Sequence, residues 1–114
     1  MDEELKDPVK MREWLMRNYH LQQEMQAFNT LNGEYSDDLP YAYKRSLFVE
    51  AAKCRVEIYE FLKGCTLRPR EMEVVRLHCL LCKSWSEIAR QMKKDRRNLI
   101  RTFDTAVRHL TQQI

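Results

Sequence analysis

The residues best suited to chemistry are the cations of Lys93-Lys94-Asp95-Arg96-Arg97-Asn98, followed by Arg101 and Arg108. A guanidinium offers a planar fork of donors that fits guanine O6 and N7, and a carboxamide fits adenine N6 and N7. Each such pair gives about 1–3 kcal/mol of base discrimination. A lysine ammonium is a point charge that suits a phosphate. On a helix opening after Asp95, Arg97, Arg101, Asp104 and Arg108 return to one face, since residues four and seven apart nearly superpose at 100° per residue. The expected chemistry is therefore contact with duplex nucleic acid. Arg96, Arg97, Asn98 and Arg101 are the candidates for base edges. Lys93, Lys94, Arg90, Lys83 and Arg108 are the candidates for phosphates.

The competing reading is an ordinary solvated basic face; charge alone leaves the two readings even, and the helix-turn-helix pattern described below decides for nucleic acid. Residues 1–65 carry 9 Lys and Arg against 12 Asp and Glu, a balance of −3, whereas residues 66–114 carry 11 against 5, a balance of +6. A polyanionic partner is expected for the second part alone.

Other chemistry finds less support. Cys79-Leu80-Leu81-Cys82 has the spacing of half a zinc site, but a second close pair is missing, because Cys54 and Cys65 stand eleven apart. Those two fall on an apolar helical repeat, where a reduced cysteine acts as a small hydrophobe. His20, His78 and His109 are scattered, and no Ser-His-Asp set has a spacing that would bring its members together. There is no glycine-rich phosphate loop. The expectation is a non-enzyme without metal or cofactor.

The basic residues need elements to position them. Ile88, Ala89 and Met92 share a helical face, and Leu99, Phe103, Ala106, Val107 and Leu110 make a second apolar stripe. Asp95 stands between them as the expected N-cap of the second helix. Trp85 is expected to pack against the preceding helix. Two short helices packed through such stripes, the second arginine-rich at its start, form a helix-turn-helix whose second helix enters the major groove.

The stretch from Leu67 onward resembles the fourth region of bacterial sigma factors. The resemblance rests on Leu67, Arg70-Glu71, Val74 and Leu77, Glu87-Ile88-Ala89, and Ala106 with Leu110, and it covers about two-fifths of the chain. The chain length, the helical leader and Ser84-Trp85-Ser86-Glu87-Ile88-Ala89 further resemble small phage regulators of the ArpU and RinA type. That resemblance implies a transcription regulator acting on late genes in the cytoplasm of a bacterial host. Two departures bear on the turns: Lys93 and Lys94 stand where the family has Gly and an apolar residue, and Cys82 stands where Gly often ends the preceding helix. Glycine is the residue that takes a positive φ most cheaply.

Residues 1–65 read as a helical hairpin. Asp7-Pro8 opens the first helix as N-cap and N1 proline. The helix is expected to run to about Leu31 and to end at Asn32-Gly33. Its seam is Met11, Trp14, Asn18, Leu21, Met25 and Phe28. Ser36-Asp37-Asp38-Leu39-Pro40 restarts the chain, and the second seam is Leu47, Ala51, Cys54, Ile58, Phe61 and Cys65, stopped by Gly64. Both seams are expected to bury against each other and the C-terminal unit. The alternative leaves part of a seam free for a homodimer or for RNA polymerase, with Met11, Trp14, Met16 and Met25 as an adaptable surface and Asn18 setting register. Tyr35, Tyr41 and Tyr43 cluster about the loop.

The fold class expected is all-α: a hairpin over residues 1–65, packed on or leading into a three-helix helix-turn-helix unit over residues 66–114. No apolar run approaches the ~20 residues of a membrane span, and Asp2-Glu3-Glu4 is unlike a secretory leader. The expected partner is double-stranded DNA. The rival readings are an RNA polymerase-binding protein without a DNA site of its own, a small DNA-packaging (terminase) subunit and a zinc-stabilised module.

Overall fold

The computed structural model describes residues 3–35 and 41–114, with side chains described for residues 3–27 and 43–114. All regular elements among the described residues are helical. A 3₁₀ turn, Glu3–Lys6, precedes α1 (Pro8–Tyr35), α2 (Tyr41–Lys63), α3 (Pro69–Val75), α4 (Trp85–Met92) and α5 (Arg96–Thr111). No helix among the described residues is long and apolar enough to cross a membrane.

α1 begins as its residues dictate. Asp7 Oδ1 accepts from the Val9 N–H at 3.0 Å, and Pro8 fills a position whose N–H would have no helical partner. The helix does not stop at Asn32-Gly33 but continues to Tyr35. Glycine in a helix interior costs only about 0.5–1 kcal/mol, too little to end a long run. The expected restart at Ser36-Asp37-Asp38-Leu39-Pro40 and the side chains of Phe28, Tyr35 and Tyr41 lie outside the described residues.

α1 and α2 run antiparallel, as their cross-contacts require. Trp14 meets Phe61 edge-on with centroids 5.3 Å apart, Arg17 donates to Glu57 at 3.1 Å, and Tyr43 donates to Glu24 at 2.8 Å. Positions rise on one helix as they fall on the other. From the first seam, Met11 and Asn18 are buried and Trp14, Leu21 and Met25 half-buried. From the second, Leu47, Ala51, Cys54 and Ile58 are buried and Phe61 and Cys65 half-buried. Leu15 and Leu62, outside those seams, are also buried.

One core joins the hairpin to the C-terminal helices: Leu5, Met11, Leu15, Ile58 and Leu62 share a cluster with Val74, Val75, Ile88, Leu99, Phe103 and Leu110. α3 starts with Pro69 at N1, and Glu71 accepts from the Arg68 N–H at 3.1 Å. Glu71 is itself buried and pairs with His109 of α5 at 2.9 Å. The α2–α3 connection is tied to the chain end by a reciprocal pair. Thr66 N–H donates to Gln113 Oε1 at 2.6 Å, and Gln113 Nε2 donates to the Thr66 carbonyl at 2.7 Å.

After Val75, α3 widens into a π-helical turn, Arg76–Leu80, closed by Leu81 N–H on the Arg76 carbonyl at 3.0 Å. The last carbonyls of such an end have no partner within the helix. Asn18 of α1 supplies one: its amide donates to Cys79 O at 2.9 Å, and it lies 3.4 Å from Leu80 O and 3.2 Å from Cys82 Sγ. The polar member of the first seam thus fixes α1 against the C-terminal unit within one chain. Beside it His78 is buried, stacked on Trp85 at 4.1 Å and 4.4 Å from Tyr19, with Nδ1 2.8 Å from the Lys83 carbonyl. Burial is the main cause holding the His78 pKa below its ordinary value.

Candidate nucleic-acid interface

α4 and α5 are bounded by their caps. Ser84 Oγ accepts from Glu87 N–H at 3.2 Å and Glu87 Oε1 accepts from Ser84 N–H at 3.3 Å, a reciprocal capping box. Those hydrogen bonds from Ser84 hold the Glu87 carboxyl below its ordinary pKa. Asp95 has extended backbone and its Oδ1 accepts from Arg97 N–H at 3.0 Å, so it caps α5 as its side chain predicts. Ile88 on α4 is buried, with Ala89 and Met92 half-buried, and Leu99, Phe103, Ala106, Val107 and Leu110 on α5 are all buried. Trp85 packs onto His78 and meets Phe103 edge-on at 5.5 Å.

Neither helix break uses glycine. Lys93 takes the left-handed conformation, φ 55° and ψ 47°, and Lys94 N–H returns to the Ala89 carbonyl at 3.1 Å. Cys82 has φ 56°, and Lys83 N–H returns to the Leu77 carbonyl at 2.9 Å. The first is the backbone of a Schellman motif, the second a wider end whose return bond reaches one residue further back from the π-helical turn. At both, a residue other than glycine incurs about 1–2 kcal/mol for the left-handed backbone. The turns therefore keep the shape a glycine would give.

With α5 seated by its stripe, its opposite face is set. Arg97, Arg101 and Arg108 fall within an arc of about 40° and are exposed, as are Arg96 and Asn98 beside them. Lys93 and Lys94 project from the turn, Arg90 is exposed on α4, and Lys83 is half-buried before α4. Among the described residues none of these nine side chains has an ion-pair partner. Asp104, the one carboxylate on the same face, is taken up by Arg12 of α1, which forms an ion pair with it. The contact offsets the one negative charge on this face and places Arg12 on one flank of α5.

On the other flank lies a groove of about 560 Å³ lined by Arg68, Pro69, Arg70, Asn98, Arg101 and Thr105, among others. Arg68 and Arg70 are exposed. Sequence reasoning passed over Arg68, Arg70 and Arg12 as members of the basic surface. Each sits far along the chain from α5, and only the packing of α3 and α1 on α5 brings them there.

The cysteines offer a different environment. Burial raises the thiol pKa of Cys54, Cys65, Cys79 and Cys82, most strongly at Cys79, away from the thiolate that metals and redox chemistry need. Among the described residues no three His, Cys, Asp or Glu side chains are grouped to hold a metal. No family model matches the chain, and no curated protein or solved structure matches it either.

Proposed function

We propose that this chain is a sequence-reading DNA-binding protein, a transcription regulator of the kind its resemblance to small phage regulators implies. α5 enters the major groove by its first turns. Arg96, Arg97, Asn98 and Arg101 reach base edges there, and Lys83, Arg90, Lys93, Lys94 and Arg108 hold the phosphates. Arg68 and Arg70 extend the phosphate track beyond the helix-turn-helix, and on the opposite side Arg12 offsets Asp104 so that this flank does not repel the backbone.

The observation that carries this reading is the state of the charges on α5. Its arginines are exposed and unpaired among the described residues, while the one acid among them is neutralised from α1. A face selected only for solubility gains from mixed charge. A face that meets phosphates gains from cations left free, because each neutralised phosphate releases condensed counterions.

The test is binding of the purified chain to random-sequence duplex DNA across a salt series, followed by sequencing of the bound pool. The expected result is a steep fall of affinity with salt and an enriched motif. Arg97→Ala relaxes one motif position, whereas Lys94→Ala weakens all sequences alike and flattens the salt slope by about one unit. Absence of binding at low salt would overturn the proposal and turn attention to RNA polymerase as the partner.

A further inference from the structure

α2 carries a second apolar stripe that the described residues leave open. Phe48 and Val56 are each 62% exposed, Val49 48% and Tyr59 47%, and Ala52 between them is half-buried. Phe48, Val49, Ala52 and Val56 line one open, mostly apolar groove. Val49, Ala52, Val56 and Tyr59 are spaced 3, 4 and 3, a heptad seam on a helix that already buries Leu47, Ala51, Cys54, Ile58 and Leu62 inside the chain. At 100° per residue the two stripes are centred about 130° apart. A helix apolar on two faces calls for a second neighbour.

The residues beside the seam indicate which neighbour. With Val49 and Val56 at a, and Ala52 and Tyr59 at d, Arg55 is a g position and Glu60 the e position five residues later. In a parallel, in-register pair of helices, g of one copy faces that e of the other. Arg55 and Glu60 would therefore meet twice across a two-fold axis. Neither has an ion-pair partner among the described residues. One heptad earlier, Phe48 at g would face Lys53 at e, whose methylene stem can cover the ring. An antiparallel pair would set the Arg55 flank against itself and the Glu60 flank against itself. Within a parallel coiled coil, a β-branched residue such as valine at a is the choice found in two-stranded forms.

We propose that this stripe is the contact surface for a second copy of the chain, packed parallel and in register along α2. Five residues separate α2 from α3, so a parallel pair holds both helix-turn-helix units at the same end, the arrangement that reads two half-sites. That consequence rests on the DNA reading above, while the pairing itself is measured without DNA.

The experiment is sedimentation equilibrium of the full chain over a range of concentrations, with far-UV circular dichroism of each variant. Wild type is expected to reach twice the 13.8 kDa chain mass, and Val56→Glu to remain monomeric with its helical signal intact. Arg55→Glu and Glu60→Arg each weaken self-association about ten-fold, because two symmetry-related pairs turn from attraction to repulsion. The double exchange restores it. A wild type that stays monomeric overturns the proposal, as does a dimer that Val56→Glu leaves intact. Failure of the double exchange to restore pairing overturns the parallel register. If Val56→Glu lost its helical signal, the exchange at 55 and 60 alone would decide. Loss of DNA binding with self-association unchanged would count against the DNA reading and leave the pairing standing.

Discussion

α5 and α2 each bury one apolar stripe, and they differ in what lies across the helix from it. Opposite the α5 stripe stand Arg97, Arg101 and Arg108, exposed and without carboxylate partners among the described residues. Away from the α2 stripe stand Phe48, Val49, Val56 and Tyr59, apolar and open. One helix presents charge to its surroundings and the other presents carbon. Free cations gain by meeting a polyanion, where counterions are released, and free apolar surface gains by meeting more apolar surface. Under the two proposals above, the contrast gives the helices different classes of partner, and it can be tested one stripe at a time.

The largest effect is expected inside α2. Ile58→Ala removes a fully buried side chain and should destabilise the fold by about 2–5 kcal/mol. Val56→Ala, two residues away on the open stripe, should change stability by no more than about 0.5 kcal/mol. Urea unfolding at concentrations too low for self-association measures both. Equal losses at the two positions would mean that both stripes are buried within one chain, and the comparison would collapse.

A second break point is the joint that holds the two regions together. Asn18→Leu leaves the carbonyls at the end of the π-helical turn without their donor, a loss of about 1–3 kcal/mol for buried polar groups. The return is partial, because Asn18 Oδ1 is itself buried without a partner. A variant as stable as wild type would show that α1 is not anchored through this amide.

These positions separate what the sequence carries from what it hides. The bounds of α4 and α5, the Asp95 cap and the five buried residues of α5 were legible, because capping and helical periodicity act within a few residues. The length of α1 was not, since a glycine marks a helix end only weakly. Leu15 and Leu62 stand beside the seams rather than on them, and only the third packing partner buries them. The Arg12–Asp104 pair joins residues 92 apart, and Glu71 and His109 lie on different helices far apart in the chain, so no local pattern announces either. Of the candidate interface, the cationic positions on α4, the turn and α5 could be read from spacing. Arg68, Arg70 and Arg12 could not, and neither could the second stripe of α2, whose residues look ordinary until the first stripe is seen to be buried.

His78 sharpens the comparison from within, because it lies in the joint yet can be titrated. Its native pKa is lowered, chiefly by burial, while the unfolded chain binds its proton near 6.5. Below that value the unfolded state gains protons that the folded state does not, so stability falls as pH drops. The slope can reach about 1.4 kcal/mol per pH unit, and it levels off below the lowered native pKa. His78→Phe, which keeps an aromatic ring between Tyr19 and Trp85, should remove that part of the slope. Urea midpoints of the two proteins between pH 8 and 5, compared pairwise, isolate the contribution. Parallel curves would mean that His78 is protonated in the native state as readily as in the unfolded one.

The smallest effect concerns Lys93, where the two uses of a residue oppose each other. Its left-handed backbone incurs strain that glycine avoids. Lys93→Gly relieves that strain but gives the unfolded chain more freedom, so the net gain should be no more than about 1 kcal/mol. The same change removes one cation from the proposed phosphate track, and the slope of log affinity against log salt should fall by about one unit. At Cys82, also left-handed, the thiol lies 3.2 Å from the Asn18 amide. Cys82→Gly gives up that contact and should stabilise less, with no change in salt slope. A lysine kept in a strained turn by its charge predicts opposite signs for stability and binding at position 93 alone. If Lys93→Gly gained stability without losing affinity, the turn would lie away from the DNA, and the α5 face would have to dock by its far end.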